Sequence, residues 1–213
     1  MALVCWSGGC DSTLVLYQLA AKSSKDTPIH TISITHPQIP AADEQMRARE
    51  ALLARFKEMG FNIQHTEVVV QQKGDFFVRD TGGIFQAPTW LSIATPYLLE
   101  DQDLYMGYVR EDDLWHYRYW AFQIFDSFKT FLHLKGELKF PLEWMYKIEV
   151  VRKLRSLGLL DLCWWCEVMD GKARIVPCGR CQPCTRHRNV LTQIEREDQE
   201  KPKSEAVTEV PPP

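Results

Sequence analysis

Residues 3–13, LVCWSGGCDST, decide how the N-terminal part of the chain folds. The apolar run over residues 3–6 is typical of a short buried strand, and it stops at a pair of glycines. From Ser12 to Lys22 the apolar residues recur with helical spacing, which predicts a helix capped by Asp11 or Ser12. The chain therefore begins with a strand, a glycine turn and a helix.

Strands and helices continue to alternate after this opening. Predicted strands cover residues 29–35, 63–70 and 104–108, and predicted helices cover residues 41–59, 89–100 and the end of the segment 139–157. A polar, glycine-containing stretch over residues 71–86 predicts a long loop. The alternation indicates an α/β fold with a mainly parallel sheet covered by helices on both faces. In such sheets ligands bind at the carboxyl ends of the strands.

An aromatic-rich segment covers residues 115–134. Phe125, Phe128 and Phe131 recur every three residues, which is close to the helical repeat. This spacing favours a buried helix face over a platform on which bases stack.

Composition and charge narrow the class of protein. The 213 residues contain 25 Lys plus Arg and 28 Asp plus Glu, which gives a formal charge of −3. Proteins that bind nucleic acid mainly through its phosphates usually carry an excess of basic residues, and this sequence has none. Nucleic acid is therefore not the expected partner. No stretch approaches the roughly 20 apolar residues of a membrane span, and the N-terminus does not resemble a signal peptide. We therefore expect a cytoplasmic protein with no membrane contact, in which clustered cysteines indicate metal or redox chemistry rather than disulfides.

The string Ser7-Gly8-Gly9-Cys10-Asp11-Ser12 predicts a phosphate site. Glycines allow backbone N–H groups to face an anion, and the N-terminus of the following helix adds a favourable dipole. Asp11 would repel phosphates unless a cation lay between them, so it is a candidate Mg²⁺ ligand, with Ser7 and Ser12 as hydroxyl donors. A plain tight turn is the alternative, but the complete string at the first strand–helix junction favours phosphate. Neither the Walker motif nor the dinucleotide motif G-x-G-x-x-G is present.

Five cysteines near the C-terminus predict a metal site. They are Cys163, Cys166, Cys178, Cys181 and Cys184. Four thiolates in this spacing suit a tetrahedral zinc ion, which leaves one cysteine spare, while an iron–sulfur cluster is the rival that spacing alone does not exclude. A site filled by four protein ligands has no open position, so its role is structural. His187, just beyond the last cysteine, is expected to face solvent or phosphate rather than to bind the metal.

The string SGGCDS resembles the SGG-x-DS pyrophosphate loop of the PP-loop ATPases, the ATP pyrophosphatase superfamily. Combined with the C-x-x-C-x-x-C motif, it makes the chain similar to the 7-cyano-7-deazaguanine synthases, the QueC family. The resemblance implies a doubly wound, mainly parallel five-stranded sheet of the adenine nucleotide α-hydrolase type. It also makes Cys166, Cys178, Cys181 and Cys184 the Zn²⁺ ligands and Cys163 the spare cysteine.

The same resemblance implies which residues bind ATP and Mg²⁺. The nucleotide-binding residues are Trp6, Ser7, Gly8, Gly9, Cys10, Asp11, Ser12, Thr13, Gly107 and Asp112. Asp11, Ser12 and Lys147 are the catalytic candidates, although a plain helix salt bridge remains the alternative for Lys147. Cys10 occupies the variable position of the loop, and no chemistry is assigned to it.

The reaction that the resemblance implies has two ATP-dependent stages. The carboxylate of 7-carboxy-7-deazaguanine attacks the α-phosphate of ATP and pyrophosphate leaves, after which ammonia displaces AMP to give the amide. Adenylation of the amide oxygen and loss of AMP then give the nitrile of the queuosine (7-deazaguanine) pathway. The resemblance also suggests a homodimer.

Three segments depart from the family pattern. They are residues 35–38 (THPQ), 86–89 (QAPT) and 115–118 (WHYR), which are expected to border the base pocket. The sequence therefore leaves open whether the product is the nitrile or the amide, and what consumes it.

The expected organisation is a PP-loop ATP-binding domain over residues 1–160, a four-cysteine zinc-binding segment with a closing helix over 161–195, and a disordered tail over 196–213. Two other functions remain open. A PP-loop tRNA thiolase would need a tRNA-binding surface and a reactive thiol, for which Cys163 is available, or an iron–sulfur cluster. The other open function is that of a nucleotide-binding module without catalytic activity.

Overall fold

The computed structural model describes residues 1–35, 41–70, 86–167 and 176–200. The strands are β1 (Ala2–Cys5), β2 (Ile29–Thr35), β3 (Ile63–Val69), β4 (Asp103–Met106) and β5 (Leu138–Lys139). The helices are α1 (Cys10–Ala20), α2 (Ala42–Glu58), α3 (Gln86–Ala94), α4 (Arg118–Phe131), α5 (Lys147–Ser156) and α6 (Gln182–Glu200), with 3₁₀ turns at Thr95–Tyr97, Asp113–Tyr117 and Leu160–Leu162.

The five strands form one parallel sheet in the order β3-β2-β1-β4-β5, which confirms the predicted fold class. β1 lies in the centre, with Val4 paired to Thr31 of β2 on one side and to Tyr105 of β4 on the other. Strand order reverses between β1 and β4, so the carboxyl ends of these two strands border the position where an open α/β sheet binds its ligand.

Both faces of the sheet are covered, and alternate residues of β1 enter different cores. Ala2 and Val4 pack with residues of α1, α2 and α5, while Leu3 and Cys5 pack with residues of α3 and α4. Burial on both faces explains why β1 is a continuous apolar run instead of an alternating one. None of the helices in the described ranges combines the length and the apolar character that a bilayer crossing requires.

Several element boundaries differ from the sequence predictions. α1 begins at Cys10 with Gly9 as its N-cap, so neither Asp11 nor Ser12 caps it. α3 ends at Ala94, short of the predicted end at residue 100, because Pro96 has no N–H to continue the helical hydrogen bonds and a 3₁₀ turn follows.

The C-terminal helix is longer than predicted. α6 continues to Glu200, so the first residues of the predicted tail are helical. Ion pairs from Arg152 to Glu197 and from Arg155 to Asp198 hold this last part of α6 against α5. Residues 201–213 and residues 71–85 of the predicted loop lie outside the described residues, and Gln86, the last residue of that predicted loop, begins α3.

The aromatic helix α4 is buried on a different stripe from the one predicted. Phe125 is 1% exposed, whereas Phe131 is 81% exposed. A three-residue step turns a helix by about 300°, so Phe131 lies roughly 120° round the axis from Phe125. The expectation of a buried face is right for Phe125 and wrong for Phe131, and Ala121 completes the buried stripe.

Candidate functional site

A cavity of about 400 Å³ opens at the carboxyl ends of β1 and β4, where strand order reverses. Its polar lining includes the loop after β1 together with Lys147 and Arg186. Its aromatic lining residues are Trp90, Tyr108, Tyr117, Trp120, Trp164 and Trp165. The cavity therefore combines charged groups with flat apolar surfaces.

The turn between β1 and α1 needs glycine for conformational and steric reasons. Gly8 has a φ of +81°, which lies in the left-handed region that favours glycine. A Cβ at Gly8 would also lie 3.0 Å from Cγ of Arg49 and 3.3 Å from the carbonyl oxygen of Gln45. α2 thus packs directly on the turn and leaves no room for a side chain.

Two serine hydroxyls fix the shape of the loop. Oγ of Ser7 lies 3.1 Å from Oγ of Ser12, and it accepts the N–H of Gly9 at 3.2 Å. The N–H of Ser7 donates to Oγ of Ser12 at 3.2 Å. Both hydroxyls border the cavity at the N-terminus of α1, where an anion is favoured by the helix dipole.

Gly107, at the end of β4, lies against the first turn of α1. A Cβ there would be 2.5 Å from the backbone nitrogen of Ser12 and 2.7 Å from the carbonyl carbon of Asp11. No real side chain occupies such a position, so glycine is required for β4 to approach the loop. Gly107 lines the cavity, but its contribution is the space that it leaves.

Asp11 and Lys147 meet inside the cavity. Nζ of Lys147 donates to Oδ2 of Asp11 at 2.5 Å. Burial acts to lower the pKa of Lys147, but the nearby charge of Asp11 reverses this and holds the lysine pKa above its ordinary value, so the amine is protonated. The other oxygen of Asp11, Oδ1, is buried and has no hydrogen-bond partner among the described residues. That free carboxylate oxygen fits the predicted role of Asp11 as a Mg²⁺ ligand.

Asp112 lies at the same end of the sheet and holds the guanidinium group of Arg186 in place. Its Oδ2 accepts the N–H of Val109 at 2.7 Å, and its Oδ1 accepts a hydrogen bond from Arg186 at 2.7 Å. Burial raises the pKa of Asp112, and Arg186 opposes that shift. Arg186 also pairs with Glu111 at 3.4 Å. Arg186 is a cavity cation that the sequence did not reveal, because its partner lies 74 residues away.

The structure places two of the predicted ATP-binding residues beneath the loop. Trp6 and Thr13 are fully buried, and the indole N–H of Trp6 donates to Oγ1 of Thr13 at 3.1 Å. Neither residue lines the cavity. The predicted residues that do line it are Ser7, Gly9, Cys10, Asp11, Ser12, Gly107, Asp112 and Lys147.

Arg49 of α2 is a second residue that the sequence did not single out. Its buried guanidinium donates to the carbonyl oxygen of Ser7 at 3.2 Å, to Oγ1 of Thr35 at 2.7 Å and to Oε1 of Glu67 at 2.9 Å. Burial lowers the pKa of Arg49, while the charge of Glu67 opposes that change. An arginine within a predicted surface helix carries no signal of such a role.

The four cysteines Cys166, Cys178, Cys181 and Cys184 lie together, with all of their sulfur atoms within 4.8 Å of one another. The N–H of Cys178 donates to Sγ of Cys166 at 3.3 Å, and the N–H of Cys181 donates to Sγ of Cys178 at 3.4 Å. Burial acts to raise the pKa of Cys178, but N–H donors including that of Cys181 lower it to about 6. A group of thiolates this compact could hold a metal ion.

The segment around the cysteines forms one wall of the cavity. Trp164 and Trp165 both line it, and the N–H of Trp164 donates to the carbonyl oxygen of Gly8 at 3.0 Å. The imidazole of His187 stacks on the ring of Trp165 with the ring centroids 3.6 Å apart. His187 is buried and lines the cavity, so the prediction that it faces solvent is wrong, whereas a position facing phosphate remains open.

The fold and the loop together form a parallel α/β domain with a candidate nucleotide-binding site at the carboxyl ends of β1 and β4. Residues 2–100 match the family model described as asparagine synthase, and this range includes the whole phosphate loop. The chain is also similar in structure to the U34-tRNA thiolase NcsA from Methanococcus maripaludis, which was solved with its [4Fe-4S] cluster. The TM-score is 0.50 at 16% identity, and the similarity covers 94% of this chain and 66% of the thiolase chain, so it shows the fold alone. No curated protein matches the sequence.

Proposed function

We propose that this chain is an ATP-dependent synthase that converts 7-carboxy-7-deazaguanine and ammonia to 7-cyano-7-deazaguanine through adenylated intermediates. The observation that carries the proposal is the composition of the cavity lining. Lys147 and Asp11 meet at the loop after β1, and aromatic side chains that suit a planar base line the same cavity. A substrate ring stacked on these side chains would share the cavity with ATP at the loop, which would bring the substrate carboxylate towards the α-phosphate.

The polar residues that line the cavity have distinct tasks in this reaction. The N–H groups at the start of α1 and the hydroxyls of Ser7 and Ser12 bind phosphate oxygens. The protonated amine of Lys147 stabilises the charge that develops on pyrophosphate as the bond between the α- and β-phosphates breaks. Arg186, held by Asp112, places a second positive charge beside the same phosphates.

Mg²⁺ fits at Asp11 because Oδ1 of that residue is buried without a partner in the described part of the chain. When bound, Mg²⁺ neutralises phosphate charge and lets an aspartate stand beside an anion. Lys147 already neutralises the other oxygen of this carboxylate, so the two oxygens of Asp11 serve different cations.

The cysteine group fits a single zinc ion. Around one ion with Zn–S bonds of about 2.3 Å, tetrahedral geometry separates the sulfurs by about 3.8 Å. Sγ of Cys178 lies 3.9 Å from Sγ of Cys184, and all four sulfurs lie within 4.8 Å of one another. In a [4Fe–4S] cluster each cysteine binds a different iron atom, so the sulfurs lie farther apart. The ion would be structural, because it fastens the wall that carries Trp164 and Trp165.

A tRNA thiolase is the second candidate function, because the chain is similar in fold to the tRNA thiolase NcsA. The comparisons support the two functions equally, because neither comparison distinguishes between them. The compact spacing of the sulfurs and the net charge of −3 support the synthase. The homodimer, the cytoplasmic location and the identity of the final product remain predictions from the sequence.

An incubation with ATP, Mg²⁺, ammonium and 7-carboxy-7-deazaguanine, analysed by mass spectrometry, tests the proposal. We expect AMP, pyrophosphate and the nitrile, and accumulation of the amide alone would mean that the second stage does not occur. Asp11→Asn should abolish both products, whereas Asp161→Asn, an exposed site on a 3₁₀ turn, should not. AMP formation that depends on tRNA and a sulfur donor instead of the deazapurine would replace the synthase with the thiolase.

A further inference from the structure

Two buried thiols beneath the phosphate loop take no part in the proposed reaction. Cys10 is the first residue of α1 and is 2% exposed, and Cys163 follows the 3₁₀ turn that ends at Leu162 and is 4% exposed. Both residues belong to the same buried cluster, although 153 positions separate them in the sequence. Neither thiol belongs to the group of four cysteines that could hold a metal.

Backbone contacts on both sides fix the two thiols next to each other. The N–H of Trp164, the residue after Cys163, donates to the carbonyl oxygen of Gly8 at 3.0 Å. A Cβ at Gly9, the residue before Cys10, would lie 3.4 Å from the carbonyl oxygen of Trp164. The thiol of Cys163 is further held by the carbonyl oxygen of Leu159, at 3.4 Å. The pairing therefore follows from how the C-terminal segment packs on the loop.

One of the two thiols can be reached from the cavity. Cys10 lines the cavity and Cys163 does not. His187 also lines it. The Nδ1 atom of His187 is buried without a partner among the described residues. A small reagent that enters the cavity would thus meet Cys10 before Cys163, in a space that this imidazole also borders.

We propose that Cys10 and Cys163 are a redox-active pair, which a low-molecular-weight disulfide converts to an intramolecular disulfide beneath the phosphate loop. The sulfur of Cys10 attacks one sulfur of the reagent, and the first reagent thiol leaves. The sulfur of Cys163 then attacks the Cys10 sulfur of the mixed disulfide, and the second reagent thiol leaves. The protein loses two electrons and two protons, and the reagent gains both. In a reducing compartment such a disulfide is transient and regulatory.

The disulfide would disturb the polar residues that line the cavity. An S–S bond of about 2.05 Å is shorter than any hydrogen bond between thiols, so the segments carrying the two sulfurs must approach each other. The first turn of α1 is already in close contact with β4 at Gly107, where a Cβ would lie 2.5 Å from the nitrogen of Ser12. The adjustment therefore changes the position of Asp11 relative to Lys147. We expect the affinity for ATP to fall by roughly tenfold, which is about 1.4 kcal/mol; this effect alone rests on the proposed function.

The test treats the full-length, metal-loaded protein with glutathione disulfide and follows it by intact mass and by peptide mapping without reduction. We expect loss of the mass of two hydrogen atoms, a linked peptide that contains Cys10 and Cys163, unchanged metal content, and full reversal by dithiothreitol. Cys163→Ser should retain one glutathione instead of forming the linked peptide. Cys5→Ser, which replaces a buried thiol of the opposite core, should behave like the unaltered protein.

Two results would overturn the proposal. One is a disulfide confined to Cys166, Cys178, Cys181 and Cys184 with loss of metal, and the other is no disulfide at all. A Cys10–Cys163 disulfide in a protein that binds no ATP in either redox state would uphold the pair and reject the proposed function, so the two failures can be told apart.

Discussion

Nζ of Lys147, the first residue of α5, lies 2.5 Å from Oδ2 of Asp11 in the first turn of α1. The two residues are 136 positions apart, and the pair connects two helices that begin at the same end of the sheet. Its position inside the cavity distinguishes it from the surface salt bridge that the sequence left open for Lys147, because both side chains are mostly buried. In the proposed reaction, the pair would place a positive charge where pyrophosphate leaves.

Lys147→Met should lower kcat for AMP formation by roughly 100-fold, since a preorganised donor at developing charge contributes about that much. Lys147→Arg should recover part of the loss. Lys153→Met, which alters an exposed lysine of the same helix, should leave the rate unchanged. Initial rates of AMP release measure all three, and a rate for Lys147→Met within twofold of the original would contradict the assigned role.

Gly107→Ala should weaken ATP binding because the new methyl group would lie 2.5 Å from the nitrogen of Ser12 and displace the first turn of α1. Overpacking of this kind costs about 1–3 kcal/mol. Gly158→Ala is the matched comparison, since Gly158 has a φ of +65° with nothing within 4 Å of the added carbon. That variant should lose stability through backbone strain yet keep its affinity for ATP. Calorimetric titration with ATP and thermal unfolding of both variants separate the two effects.

Arg49→Met should destabilise the protein by about 3 kcal/mol, because it leaves Glu67 without its cation and the carbonyl of Ser7 without its donor. The double variant Arg49→Met with Glu67→Gln should lose at least about 1 kcal/mol less than the sum of the two single variants. Urea unfolding of the four proteins measures this coupling. Additive losses would show that the ion pair does not act as a unit.

Removal of the metal should loosen the cavity wall without any chemical change in the phosphate loop. We expect one zinc ion per chain, and we expect a chelator to raise the KM for ATP and to make Trp164 accessible to a fluorescence quencher. Cys166→Ser should reproduce both effects, whereas Cys5→Ser, which alters a cysteine outside the metal-binding group, should keep its zinc and leave Trp164 protected from the quencher. Two or more iron atoms per chain, with the brown colour of a cluster, would contradict the zinc assignment.

The parallel sheet and the glycine turn after β1 could be predicted from the sequence because their signals are local. The strand, the glycine turn and the helix over residues 3–22 follow one another, and the glycines mark where the backbone must turn. The four cysteines that the resemblance assigned as ligands lie together in the structure. β5 could not be located, because a strand of two residues carries no periodic pattern.

The residues that sequence reasoning missed depend on long-range contacts. Arg49 holds the loop through the carbonyl of Ser7, 42 residues away, and Arg186 reaches Asp112 across 74 residues. Cys10 and Cys163 looked like a variable position and a spare thiol until the fold placed them in one buried cluster. Such pairings arise when the chain closes on itself, and no window of neighbouring residues contains them.

The most direct test of the central claim follows oxygen atoms from substrate to AMP. If the carboxylate of 7-carboxy-7-deazaguanine is labelled with ¹⁸O and attacks the α-phosphate, one labelled oxygen must appear in the AMP of the first stage. The second labelled oxygen must then leave with the AMP of the second stage, and the nitrile must carry none from the carboxylate. Mass spectrometry of AMP and product reads both stages in one reaction. Unlabelled AMP formed in ordinary water would mean that the carboxylate is never adenylated, and it would contradict the account.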